Sequence, residues 1–208
     1  RRIRPPMRST RLAPLCLLLL APGALAVPEA PRWPVSAAGM MAADAVSVAP
    51  PDFKRIVARH GKRLMEGVKA GLAASPERDD PARRAALAKG ARRIAQAIRD
   101  HKRFEDVAYE AGGLVAEASL LFPPKGGPAD DASLSALARQ GSSFLGYPAK
   151  PFDAPEALVA AKLPAGSARE AYDSGLTLSA RLLAWIWKTA GGDAFVASDK
   201  PESKGPYQ

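Results

Sequence analysis

The stretch Phe104–Pro124, FEDVAYEAGGLVAEASLLFPP, decides the fold. Its apolar residues fall at Phe104, Val107, Ala108, Ala111, Leu114, Val115, Ala118 and Leu121. Steps of three and four place them in one stripe along one face of a helix. Gly112 and Gly113 sit in the middle, where each costs about 1 kcal/mol relative to alanine. That cost is tolerated where a second backbone packs close, or where a larger side chain has been lost. Pro123 and Pro124 cannot continue the hydrogen-bond ladder and stop the helix.

The same period continues on both sides. Toward the N-terminus, Asp80-Pro81 starts a helix whose apolar face is Leu87, Ala91, Ile94, Ala95 and Ile98, with aspartate as cap and proline in the first turn. Asp52 starts another, carrying Phe53, Ile56, Val57, His60, Leu64 and Val68; Gly61 either kinks it or divides it in two. Ser36 is positioned to cap a short helix through Val46. Toward the C-terminus, Asp131 caps a short helix, and Gln140 to Asp153 has the Gly, Ser and Pro content of a long surface connection. Pro155 opens a short helix through Leu163. Ser167 and Glu170 form a capping-box pattern, and the helix they begin runs to Ala190 before Gly191-Gly192. It is apolar on more than one side, so it is expected to be the most buried element. No stretch alternates apolar and polar residues in the manner of a strand. The expectation is an all-α, single-domain bundle of about six helices over residues 27–192.

The ends read differently. Arg8 and Arg11 precede the apolar run Leu12–Leu20, then Pro22-Gly23 and the small residues Ala24-Leu25-Ala26. This is the order of a secretory signal peptide over residues 1–26, with residues 1–6 ahead of Met7 as possible upstream sequence. The run is too short and proline-broken for a transmembrane helix, which needs about 20 apolar residues. The expected product is exported, periplasmic or extracellular, and has no transmembrane span. Cys16, the one cysteine, leaves with the leader, so the mature chain forms no disulfide. Five arginines leave as well, and the net charge falls from +9 to +4. Residues 193–208 are polar and read as a flexible tail.

Three stretches together resemble the zinc-dependent phospholipase C and P1 nuclease superfamily. PPDFKRIVARHGKRLMEGVKAG (50–71) resembles the segment after that superfamily's first helix, Phe104–Pro124 its central helix, and AYDSGLTLSARLLAWIWKTAGG (171–192) its closing helix. The resemblance covers about Trp33 to Gly192. It implies a helical scaffold and, in active members, three zinc ions held by an N-terminal Trp, several His and Asp or Glu. One such pair is His-x-x-x-Asp on the central helix, where residues four apart share a face. The matching positions here are Gly113 and Glu117, and Met40 and Met41 stand where a first-helix His is wanted. A cut after Ala26 does not make Trp33 the N-terminus. The resemblance therefore implies a member that has lost its metal site, with no cofactor.

Outside that resemblance, the residues that can carry chemistry are few. His60 and His101 are the only histidines. His60 reads as an amphipathic residue on a half-buried face, His101 as a solvated residue at a helix end. His60, Asp79, Asp106, Glu110 and Glu117 are the weak candidates for a metal site, with caps and ion pairs as the competing reading. No Gly-x-Ser-x-Gly motif or phosphate-cradling glycine loop is present. Charge is unevenly spread: Phe53–Arg103 holds 15 Lys/Arg against five Asp/Glu, and Phe104–Gln208 holds nine against 13. Arg83, Lys89, Arg92, Arg93 and Arg99 fall opposite the Leu87/Ile94/Ile98 face and are the candidates for binding anionic lipid or another phosphate-bearing surface. No aromatic residues interleave with them, which argues against nucleic acid. A solvated basic face balanced by the acidic half is the competing reading. The leading expectation is an exported protein that binds rather than hydrolyses. Its rivals are a metal-dependent phosphodiesterase of phospholipase or nuclease type, using zinc or an oxygen-rich site, and a structural envelope protein.

Overall fold

The structure, a computed structural model, describes residues 32–74, 79–125, 130–148 and 154–192. The expected signal peptide and tail lie outside them. Among the described residues there are eight helices and no strand. They are α1 Val35–Ser47, α2 Pro51–Ala58, α3 Gly61–Ala74, α4 Asp80–Arg99, α5 Phe104–Ser119, α6 Asp131–Arg139, α7 Pro155–Ala160 and α8 Ala168–Thr189. The all-helical bundle is what the periodicity called for. The count exceeds six partly because the Asp52 run divides at Arg59-His60 into α2 and α3.

The stripe on α5 is the floor of the core: Val107, Ala108, Ala111, Leu114, Val115 and Ala118 are all buried. Its two glycines have a plain structural cause. A Cβ on Gly112 would lie well inside 3 Å of the Leu64 carbonyl oxygen of α3. One on Gly67 of α3 would collide in the same way with the Tyr109 carbonyl of α5. A Cβ on Gly71 of α3 would come to 2.8 Å from Ala116 Cβ and 3.0 Å from Gly113 Cα. The two helices thus cross backbone to backbone, and only residues without a Cβ permit that approach. This is the close approach that the mid-helix glycines signalled.

Helix α8 is the most buried element, as expected, with Tyr172, Leu182, Leu183 and Ile186 at zero exposure. The capping box forms as written: Ser167 Oγ accepts from Glu170 N, and Glu170 Oε2 accepts from Ser167 N. Trp33 is buried ahead of α1. Its Nε1 donates to Phe122 O at 2.7 Å, and its ring meets Tyr172 edge-on at 5.6 Å. Tyr172 OH in turn donates to Asp44 Oδ2 at 3.0 Å. Burial, with Asp44 close by, pushes the phenol pKa up.

Several boundaries shift from the sequence expectation. Asp79, not Asp80, caps α4, with Oδ1 accepting from Ala82 N at 2.9 Å; Asp80 is already helical. Asp130, not Asp131, caps α6 through Ser133 N. In both Asp-Asp pairs only the first residue has the extended backbone a cap requires. Ser36 does not cap α1: Pro34 stands at that position, and Ser36 Oγ instead shares a 2.5 Å hydrogen bond with Ser135 Oγ of α6. Helix α7 ends at Ala160, short of Leu163.

Two helices end on the same motif with different residues. After α8, Gly191 takes a positive φ of 91°, and Gly191 N and Gly192 N return to Lys188 O and Trp187 O. After α4, His101 takes that role with φ 55°, with His101 N bonding Ile98 O and Lys102 N bonding Ala97 O. His101 is exposed, in keeping with a solvated helix-end residue.

The segment 141–148, irregular and with Gly141 and Gly146 at positive φ, lies along α8 and is held by a row of its side chains at every fourth position. Arg169 donates to Leu137 O and Gly141 O, and Asp173 Oδ1 accepts from Ser143 N at 2.9 Å. Thr177 Oγ1 accepts from Leu145 N at 3.1 Å, and Arg181 Nε donates to Gly146 O at 2.8 Å. Tyr147 OH closes the strap onto Val48 O at the end of α1.

Candidate functional site

The arginines assigned to a basic face of α4 are for the most part spent inside the molecule. Arg83 is not on an open face at all. It is buried, and its Nη1 lies 3.1 Å from Glu117 Oε1 of α5. Arg92 grips Glu156 of α7 with both terminal nitrogens, Nη2 to Oε2 at 2.6 Å. That hydrogen bonding holds the Glu156 carboxyl below the usual carboxylate range. Arg93 Nε donates to Glu110 Oε2 of α5 at 3.1 Å. Arg99 donates to Gln96 Oε1 at 2.7 Å, and Arg84 donates to Val159 O of α7. Helix α4 is therefore stitched to α5 and α7 by its cations. Lys89 and Arg99 are the two of the five candidates that are exposed and, among the described residues, make no ion pair.

Between α3, α4 and α5 lies a groove of about 450 Å³. The small residues Gly67, Ala70, Gly71, Gly90 and Gly113 form its floor, and Lys89, Arg93, Glu110 and Glu117 stand around it. Four residues singled out in the sequence for different reasons are thus neighbours here. At its end, the Arg63 guanidinium lies 4.8 Å above the Tyr109 ring while Nη1 reaches Glu66 at 2.5 Å. Asp106 faces the same arginine at 3.9 Å.

The proposed metal candidates are not brought together. His60 is half-buried at the junction of α2 and α3, Asp79 is engaged as a helix cap, and Asp106, Glu110 and Glu117 each face an arginine. Among the described residues no three of His, Cys, Asp or Glu converge as metal ligands would. A zinc site needs three or four N, S or O donors at one point. Glu117 supplies one oxygen beside Gly113, which has no donor, and that oxygen is engaged by Arg83. The donor set does not fit a zinc cluster. No family model, curated protein or solved structure matches the chain.

A second group of cations was missed by sequence reasoning. Lys54 of α2, Arg59 between the helices, and Lys62 and Lys69 of α3 are all exposed and, among the described residues, make no ion pair. Glu66 lies within a turn of both α3 lysines but is taken by Arg63. What separates these cations from Arg83, Arg92 and Arg93 of α4 is that the carboxylates of the latter come from positions distant in sequence, whereas Glu66, the carboxylate near Lys62 and Lys69, is taken by Arg63. Among the described residues no helix is long and apolar enough to cross a membrane.

Proposed function

We propose that the chain is an exported, non-hydrolytic binding protein that associates with phosphate-bearing anionic surfaces. The observation that carries this reading is the separation of its cations into two sets. On α4, Arg83, Arg92 and Arg93 are paired with carboxylates, whereas Lys54, Arg59, Lys62 and Lys69 around α2 and α3 are exposed and, among the described residues, make no ion pair. Uncompensated surface cations attract phosphate groups, with a contribution that fades over the Debye length, about 10 Å at 0.1 M salt. The loss of zinc donors implied by the superfamily resemblance supports binding over phosphodiester hydrolysis, and among the described residues no three His, Cys, Asp or Glu converge to hold a metal that would ready a water for attack.

The test is sedimentation of the exported protein with phosphatidylglycerol and with phosphatidylcholine vesicles across a salt series. Preference for the anionic vesicles at low salt, falling as salt rises, is expected. Equal or no binding to both at the lowest salt would remove the reading.

A further inference from the structure

We infer that the seam between α1 and α3, with Lys62 and Lys69 at its edge, is the face that docks onto an anionic lipid surface, and that the α4 arginines take no part. This rests on the binding function proposed above and assigns it a place. Lys62, Met65 and Lys69 are spaced three and four apart, so they share the outward face of α3. Met65 is 38% exposed and lies across the seam over Gly39 of α1, where a side chain would collide with its Sδ and Cε. Val35, one helical turn before Gly39 on the same face of α1, is 42% exposed. Two of the four large apolar side chains exposed among the described residues therefore sit at this one seam.

Apolar side chains flanked by lysines are what a lipid headgroup layer recognises. The ammonium groups meet phosphate, and the apolar groups enter the boundary with the acyl chains. A free phosphate or a nucleic acid backbone would have no use for Met65 and Val35. A protein partner would be expected to offer carboxylates, but the specific pairing of charge with a small apolar patch is met more simply by a leaflet of anionic lipid. Lys54 and Arg59, exposed on the α2 side and without ion pairs, add to the local positive charge. On α4, Arg83, Arg92 and Arg93 cannot serve the same purpose without breaking their bonds to Glu117, Glu156 and Glu110.

The experiment uses the exported protein and vesicles of phosphatidylglycerol diluted into phosphatidylcholine. The variant K62Q/K69Q should bind about 30-fold more weakly and with a shallower salt dependence, taking the usual worth of a lysine near an anionic leaflet. Met65→Ser should weaken binding several-fold at unchanged salt dependence. R92Q/R93Q should bind within twofold of the parent while melting at a lower temperature, because it cuts α4 from α7 and α5. Circular dichroism of all variants establishes that they are folded. If the parent binds and K62Q/K69Q binds equally well, the assignment of the face is wrong although the binding function stands. If R92Q/R93Q loses binding while still folded, α4 is the docking face instead. If the parent prefers duplex DNA of equal charge over the vesicles, lipid is the wrong partner.

Discussion

Replacing either of the two adjacent glycines of α5 by alanine changes helix propensity by the same amount, about 1 kcal/mol in favour of the helix. The surroundings differ. At Gly113 the nearest atom to the new methyl group is Gly67 O at 3.9 Å, an ordinary contact, so Gly113→Ala should stabilise the protein by about 0.5–1 kcal/mol. At Gly112 the methyl group would lie against Leu64 O and Val68 N, which belong to the backbone of α3 and cannot swing aside. The helices would have to separate, losing dispersion contacts along the crossing, and overpacking of this kind costs about 1–3 kcal/mol or more. Because this clash is with main-chain atoms, the cost falls at the upper end of that range, and after subtraction of the propensity gain Gly112→Ala should lower stability by about 2 kcal/mol. For a domain of this size each kcal/mol moves the melting temperature by about 2–4 °C. Calorimetry or circular dichroism should therefore find the two variants on opposite sides of the parent. Equal melting temperatures for both would show that α3 and α5 do not meet through their backbones.

Four further outcomes can be checked. Dialysed protein should retain no stoichiometric zinc by metal analysis, and added zinc should produce no hydrolysis of bis(p-nitrophenyl) phosphate; chelator-sensitive turnover would revive the phosphodiesterase reading. Leu182→Ala, at a fully buried position of α8, should cost about 2–5 kcal/mol in urea unfolding. His101→Gly should raise stability by a few tenths to about 1 kcal/mol, since glycine takes the positive φ at the end of α4 without strain. Glu156 has a depressed pKa when folded, so its bond to Arg92 contributes above the unfolded carboxylate pKa and is lost as pH falls through the folded one. The stability gap between parent and Glu156→Gln should therefore be constant near neutrality and close below about pH 4 in a pH series of thermal melts.

Much of the helical layout was legible because burial and helix period coincide. The α5 stripe, the capping box at Ser167 and Glu170, and the glycine stop after α8 each need only a few adjacent residues to declare themselves. Cap identity was less legible: Asp79-Asp80 and Asp130-Asp131 offer two equivalent side chains, and only backbone geometry chooses between them. The charge partners were not legible at all. Arg83 meets Glu117 from 34 positions away, and Arg92 meets Glu156 from 64. An arginine that ties two helices together and one that waits for a ligand look the same in one dimension. The basic face of α4 was drawn from its helical wheel alone, whereas the uncompensated lysines of α3 stand out only once each carboxylate has been matched with its partner. The strap along 141–148 was hidden for a related reason. Its four binding residues recur at every fourth place in α8, but they are dispersed among apolar neighbours, and the segment they hold has the composition of any surface loop.

That strap is gripped almost wholly by its main chain. Arg169, Asp173, Thr177 and Arg181 address peptide N–H and C=O groups, which every non-proline residue possesses. Its other amino acids can therefore drift while its path is kept, provided that Gly141 and Gly146 hold their positive φ, Phe144 keeps its packing and Tyr147 its anchor. Related chains should differ most freely at Ser142, Ser143 and Leu145, and hold most firmly to the four positions on α8. For an engineer the same division marks a graft site: a foreign epitope written into the exposed positions of the strap would be displayed along a main-chain path that α8 fixes without reading those side chains.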